Sequence, residues 1–178
     1  MIPSIALSFF LGSFTPGCAS VEQLMPITMS NANVVAVLNS IDQIEMDAGE
    51  QAKQKGASPS VKAFGDRLAQ EHITSMQKRQ DLAKRWEVDP QKPQLAVALE
   101  EEQEESRKQL GKTSGPDFDH AFIKYQIMMH EQVIKLLEET EDSMDQPEIR
   151  QHLRYMRPDM LSHLSAARAA ERQLVAQR

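Results

Sequence analysis

The sequence predicts an all-α fold with four long helices, and three observations support this prediction. Aromatic residues make up only 5% of the 178 residues, whereas straight-chain helix formers such as Ala, Leu, Met, Glu and Lys are abundant. Apolar residues recur at intervals of three and four along four long stretches, as on the buried face of a helix. Prolines and glycines separate these stretches. A chain of this length can form one domain with its own core.

The first two stretches form a helix pair joined by a short turn. The first apolar stripe begins near Asn31 and stops at Gly56, a residue typical of helix ends. Ser58 then offers a capping hydroxyl directly before Pro59, which is a typical helix start. The second stripe runs from there toward Trp86. We therefore expect two long helices in this half of the chain.

The second half contains a crossing segment and another helix pair. The segment 94–110 favours a helix but carries an acidic run, which predicts a short, largely solvated piece. A further helix starts at Pro116 and runs to about Ser143, and the last starts near Pro147. Two pairs joined by a longer crossing specify a four-helix bundle, with the extra short helix in the crossover. The longer crossing is typical of the ferritin-like class.

The N-terminal segment predicts export from a bacterial cell. Residues 5–11 form an apolar run that is far shorter than the roughly 20 residues needed to span a bilayer. Small residues and Cys18 follow this run, and this order resembles a bacterial lipoprotein signal peptide, in which the cysteine is lipidated. The predicted organisation is a signal peptide over 1–18, a tether over 19–30 and the bundle over 31–176.

Two alternatives to a lipoprotein signal stay open, an ordinary cleavable signal and a buried N-terminal helix. No Lys or Arg precedes the apolar run, and Thr15 stands where such signals usually have Leu. Ala19 resembles the residue that directs lipoproteins to the outer membrane. The expected location is the periplasm, with an outer-membrane anchor where Cys18 is lipidated.

Composition and motifs exclude several classes of function. The formal net charge is −6 with both signs interspersed, so a nucleic-acid partner is not expected. Cys18 is the only cysteine, which excludes an intramolecular disulfide and a zinc site with several thiolates. A phosphate-binding loop, a nucleophile elbow and a His-Glu-x-x-His motif are all missing. No catalytic residue is predicted, and an enzyme is disfavoured.

Four polar residues interrupt or border the apolar stripes of the four long helices. Glu45 and His72 lie within the first two stripes, and His130 and His163 lie at the edges of the last two. Each long helix thus offers one group to the bundle interior. Imidazole and carboxylate groups in such positions could hold Zn, Fe, Cu or Mn.

The competing interpretation is a set of buried histidines that are hydrogen-bonded within the core. Candidate partners are Glu71, Glu131 and Asp159. Di-iron bundles place Glu-x-x-His on two helices, but Ala69 and Met160 stand three residues before two of the histidines here. An ordinary di-iron oxidase is therefore disfavoured, and hydrogen-bonded core histidines are the favoured interpretation.

Several segments resemble a bacterial family of exported ferritin-like proteins, the domain of unknown function family 4142. The resemblance covers about residues 31–172, and its most specific part is the Pro-x-Val-Lys-x-Phe segment followed by an acidic residue and His. The segments are Ile44-Glu45-Met46, Ser58 to Phe64, Glu71 to Thr74, Phe118 to Phe122, His130-Glu131-Gln132, Pro158 and His163-Leu164. The sequence departs from the family with glycines at 49 and 65 inside helices.

The resemblance implies a ferritin-like four-helix fold in the periplasm or at an outer membrane, and it implies no established reaction. The family's recurrent acidic and histidine positions correspond to Glu45, His72, His130 and His163.

Two functions follow from the sequence. The first is a non-enzymatic envelope module without a cofactor, held at the membrane through Cys18, that serves a structural or interaction role as an accessory subunit of a membrane-associated assembly. The second is a metal-binding bundle for storage, sensing or redox chemistry, with Fe, Zn or another transition metal held by Glu45 and the three histidines.

Overall fold

A computed structural model describes residues 29–176, and they form five α-helices without a strand in this part of the chain. The all-α prediction is confirmed. The predicted signal peptide with Cys18 lies outside the described residues, as does the predicted tether up to residue 28. The helices are α1 (Asn31–Lys55), α2 (Pro59–Arg85), α3 (Gln94–Gly111), α4 (Gly115–Glu141) and α5 (Pro147–Ala176).

The turn between α1 and α2 follows the predicted signals. The backbone N–H of Gly56 donates to the carbonyl of Ala52 at 2.8 Å, which closes α1. The Ser58 hydroxyl accepts from the backbone N–H of Val61 at 3.3 Å, and Pro59 occupies the first turn of α2. The predicted end of α1 and the predicted start of α2 are therefore confirmed, with the capping hydroxyl and the proline both at the first turn of α2.

Helix α3 differs from the expected short, solvated piece. It spans 18 residues and buries Ala96, Leu99 and Leu110 against the core. The Ser40 hydroxyl of α1 donates to the Glu100 carboxylate at 2.6 Å. The acidic run dominated the sequence pattern, but these apolar residues share one face of the helix. The crossing segment is therefore part of the core, and this prediction was wrong.

Helices α1 and α2 cross at two glycines. A Cβ atom on Gly49 would lie 2.5 Å from the carbonyl oxygen of Gly65, and one on Gly65 would lie 2.6 Å from the carbonyl oxygen of Gly49. Both distances are shorter than any side chain tolerates. The two glycines therefore allow the two backbones to touch.

A layer of buried polar residues separates two apolar clusters. The methionine cluster includes Met29, Val34, Leu38, Ile44, Met129, Val133, Leu153 and Met160. The aromatic cluster includes Ala48, Phe64, Leu68, Phe118, Phe122, Tyr125 and Ala167. Between them along α1, α2, α4 and α5 lie Glu45, His72, Gln126, His130 and His163, all buried. We call these five residues the buried polar layer.

Candidate metal centre

The structure places all four predicted metal-site residues inside the bundle. Glu45, His72 and His130 are each 1% exposed, and His163 is 2% exposed. The expected inward orientation of Glu45 and His72 is confirmed. The two histidines at the stripe edges are buried as well, because the tertiary packing covers a wider face of α4 and α5 than their apolar stripes suggest.

The glycine crossing sets the register of α1 against α2. Asp42 stands seven residues before Gly49, and His72 stands seven residues after Gly65. Two turns of helix take seven residues, so the antiparallel pair places Asp42 opposite His72. The observed contact between them therefore follows from the same crossing.

The three histidines form one group. Their ring centroids are separated by 5.1 Å between His130 and His163, 5.3 Å between His72 and His163, and 6.3 Å between His72 and His130. One ligand nitrogen from each ring lies within 4.8 Å of the other two. Among residues 29–176 this group contains the three histidines and does not include Glu45.

The imidazole of His72 is held by a buried carboxylate. Its Nδ1 lies 2.8 Å from Oδ1 of Asp42, so Nδ1–H donates to that oxygen. Oδ2 of Asp42 accepts from Arg79 at 2.6 Å, and both side chains are almost fully buried. Arg79 also donates to Asn39 at 3.1 Å and to Ser75 at 2.9 Å. The Nε2 atom of His72 has no hydrogen-bond partner among the described residues.

The other two imidazoles are held in the same way. Nδ1 of His130 lies 2.9 Å from the backbone carbonyl oxygen of Gln126, and Nε2 of His163 contacts the Glu71 carboxylate. Partial burial raises the pKa of Glu71, but hydrogen bonds from Arg67 and His163 lower it overall. Glu71 is therefore ionised at neutral pH, and both nitrogens donate a proton to an oxygen acceptor.

The remaining nitrogens of these two rings face each other. Nε2 of His130 lies 3.2 Å from Nδ1 of His163. Burial, together with repulsion from His163, lowers the pKa of His130 to about 3. Burial also lowers the pKa of His163, and its contact with Glu71 only partly offsets this effect. Both rings are neutral at pH 7, so each presents a lone pair to the other.

Glu45 and Gln126 occupy the same layer, and neither side chain makes a hydrogen bond of 3.5 Å or less within the described residues. Within the described residues neither carboxylate oxygen of Glu45 has a partner, and neither polar side-chain atom of Gln126 has one. Burial raises the pKa of Glu45, and the attractions of His72 and of the nearby Gln126 amide offset only part of that rise. Such unpaired buried polar atoms are rare in proteins.

Two of the expected hydrogen-bond partners lie elsewhere. Glu131 pairs with Arg168 at 2.6 Å on the surface, and Asp159 is exposed. A cavity of about 210 Å³ lies between α1 and α3 and is lined in part by Tyr125 and Gln103. None of the three histidines lines this cavity. The histidine group is therefore an enclosed site of its own.

Sequence reasoning missed Asp42, Arg79 and Gln126. Asp42 stands four residues after Leu38 and three before Glu45, so it lies beside the stripe that the sequence already marks on α1. The same periodicity places Arg79 seven residues after His72. A search for charged residues that border a stripe would have found both.

The chain matches a family model over most of its length. Residues 17–170 match the family model described as Domain of unknown function (DUF4142). The chain belongs to this family. The family predicted from the sequence is therefore confirmed. Neither a curated protein nor a solved structure matches it. Across residues 29–176, its helices include none that is both long and apolar enough to cross a membrane.

Proposed function

We propose that this DUF4142 protein binds one transition-metal ion through His72, His130 and His163. The observation that carries the proposal is the direction of the lone pairs. Each ring donates its N–H outward to an oxygen acceptor, so the unprotonated nitrogens remain for the interior. Two of these nitrogens are 3.2 Å apart. Facing lone pairs repel each other, and a cation between them turns that repulsion into attraction.

The outward hydrogen bonds match the second shell of known metal sites. A metal-bound histidine usually donates its other N–H to a carboxylate or a backbone carbonyl, which fixes the tautomer and the ring orientation. Here Asp42 and Glu71 supply carboxylates, and Gln126 supplies a carbonyl. Buried polar atoms usually have a hydrogen-bond partner, so the convergence of three imidazole nitrogens that receive no proton favours a metal site.

The distances and donor atoms indicate which ions fit. Zn–N bonds of about 2.0–2.1 Å with a tetrahedral angle put two ligand nitrogens about 3.3 Å apart. The pair on α4 and α5 already has this separation at 3.2 Å, and the ligand nitrogen of His72 lies within 4.8 Å of both. Imidazole nitrogen suits Zn, Cu, Ni and Fe, whereas Mg²⁺ and Ca²⁺ prefer oxygen. We therefore infer a divalent ion of Zn, Cu, Ni or Fe.

We further propose that the bundle is ferritin-like and acts in the cell envelope. Two long helix pairs, α1 with α2 and α4 with α5, and the connection that contains α3 support the fold assignment. The lipoprotein-like segment that ends at Cys18 supports export to the periplasm and an outer-membrane anchor. The structural or interaction role in an envelope assembly stays a prediction.

Metal titration of the chelator-treated full-length protein tests the proposal. We expect one equivalent of Zn²⁺ or Co²⁺ per chain, with Co²⁺ giving the visible absorption of a low-coordinate site. His72→Leu should lose this binding, together with the rise in melting temperature that bound metal causes. His120→Leu is the matched control, because His120 lies on α4 outside the group.

The opposite result is equally clear. Should neither Zn²⁺, Co²⁺ nor Cu²⁺ bind to the folded protein near micromolar concentration, the three imidazoles are hydrogen-bonded core residues and the metal proposal is wrong.

A further inference from the structure

The histidine group offers three protein ligands, one fewer than a closed tetrahedral site requires. Structural zinc sites use four protein ligands, whereas sites with three leave the fourth position to water or to a substrate. Among residues 29–176 no Asp, Glu or Cys joins the three histidines. The following inference rests on the proposed metal site.

The charge around the group favours an anion at that fourth position. Three neutral imidazoles leave the charge of a divalent ion uncompensated by its ligands. Asp42 is already paired with Arg79 at 2.6 Å, and Glu71 with Arg67 at 2.8 Å. Glu45 is buried in the same layer but does not belong to the group of possible ligands. A buried unpaired charge is costly, so a negative ligand bound directly to the metal stabilises the loaded site.

The buried polar layer also holds unsatisfied hydrogen-bonding groups for such a ligand. Both side-chain polar atoms of Gln126 and both carboxylate oxygens of Glu45 are buried without a partner in the described part of the chain. Gln126 is 0% exposed, and its backbone carbonyl holds His130. Its side-chain N–H groups can donate to an anion.

The group lies close enough to the surface for exchange. Glu71 holds His163 from the outside, and its side chain is 45% exposed while that of His163 is 2% exposed. Arg67 binds Glu71 and also donates to Ser162 at 3.0 Å. A single layer of polar side chains therefore separates the histidine group from solvent.

We propose that the metal in this DUF4142 protein keeps an open position that binds a small exogenous anion. Gln126 is the hydrogen-bond partner of this anion, and neither Gln126 nor Glu45 coordinates the metal. The site is then a ligand-binding or reactive centre rather than a closed structural one.

Azide titration of the Co²⁺-loaded full-length protein tests this proposal. We expect a saturable change of the visible Co²⁺ absorption with one azide per metal. Gln126→Leu should weaken azide binding about fivefold, since one lost hydrogen bond is worth about 1 kcal/mol, and should leave Co²⁺ binding in place. Gln103→Leu is the matched control, because Gln103 is also buried but contacts Tyr125.

Two results would overturn the open position. The first is an azide-insensitive wild-type spectrum together with an azide-sensitive Glu45→Ala variant, which would make Glu45 the fourth ligand. The second is insensitivity of both proteins while Co²⁺ stays bound. A protein that binds no Co²⁺ at all contradicts the metal site itself, so the two proposals fail in distinguishable ways.

Discussion

Helices α1 and α2 place ionisable residues beside the histidine group, whereas α4 and α5 supply two of its three imidazoles. Asp42, Glu45 and Arg79 are buried side chains of the first pair. The backbones of its two helices meet at Gly49 and Gly65. His130 and His163 on the second pair contact each other through their rings. The first pair therefore orients the group electrostatically, and the second pair provides most of its donor atoms.

This difference between the two pairs explains why the imidazoles are held rigidly while their inward nitrogens receive no proton. Hydrogen bonds from outside fix each imidazole, so rotation cannot relieve the contact between lone pairs. A group that is held firmly in an unfavourable arrangement is prepared for a ligand.

Arg79→Met removes the counter-charge on the first pair. We expect the free energy of unfolding to fall by about 3–5 kcal/mol, because the buried Asp42 carboxylate loses its guanidinium partner. Urea unfolding measures the change. Arg168→Met is the control: its partner Glu131 and Arg168 itself are about half exposed, so the loss should stay below about 1 kcal/mol. Equal losses would contradict the proposed role of the buried pair.

Gly49→Ala separates the backbones of the first pair. The new methyl group would lie 2.5 Å from the carbonyl oxygen of Gly65 and 2.9 Å from the backbone nitrogen of Ala69. We expect a loss of about 1–3 kcal/mol in the free energy of unfolding. At Gly111 a methyl group would meet only the ends of two flexible side chains, Gln51 at 3.4 Å and Lys55 at 3.9 Å, so Gly111→Ala should change stability by less than about 0.5 kcal/mol. Similar melting temperatures for both variants would refute the close crossing.

Asp42→Asn and Glu71→Gln compare the carboxylates that hold two of the imidazoles. The buried Asp42 variant should weaken Zn²⁺ binding about 10–100-fold, as second-shell changes commonly do. The Glu71 variant should fall at the lower end of that range, since Glu71 is 45% exposed and solvent competes for its hydrogen bond. Competition with a chromophoric chelator measures both constants. A larger effect at Glu71 would reverse the assignment of the orienting residue.

The metal-free protein should lose stability in acid because of His130 on the second helix pair. The pKa of His130 is lowered from 6.5 to about 3, so below pH 6.5 the unfolded chain binds a proton that the folded protein rejects. Stability therefore falls as the pH drops from 6.5 toward 3, by up to about 1.4 kcal/mol per pH unit for one such group. Urea unfolding at several pH values measures this slope.

Glu45 on the first pair should act in the opposite direction. Burial raises its pKa above 4.5, so above pH 4.5 the folded protein retains a proton that the unfolded chain releases, and stability falls as the pH rises toward the raised value. Glu45→Gln should therefore steepen the acid loss between pH 4.5 and 6.5, and His130→Gln should flatten it. The same slope in both variants would contradict the assignment.

The sequence allowed much of the site to be predicted, residue by residue. Each of Glu45, His72, His130 and His163 lies within or beside an apolar stripe, and burial of all four followed from that position. The separation of Glu45 from the histidine group could not be predicted, because periodicity gives the face of a helix but not the rotation of one helix against another. Helix α3 was misjudged because its charges outnumber the few apolar residues that it buries.

The sequence determined the helical class, the end of α1, the start of α2, the family and four of the inward polar residues. These properties depend on local periodicity, on capping residues and on short segments that resemble the family. Tertiary structure alone decided which nitrogens converge, because that depends on the glycine crossing, on the antiparallel register and on three outward hydrogen bonds between helices. Interactions that join residues 30 to 92 positions apart have no local signature in the chain.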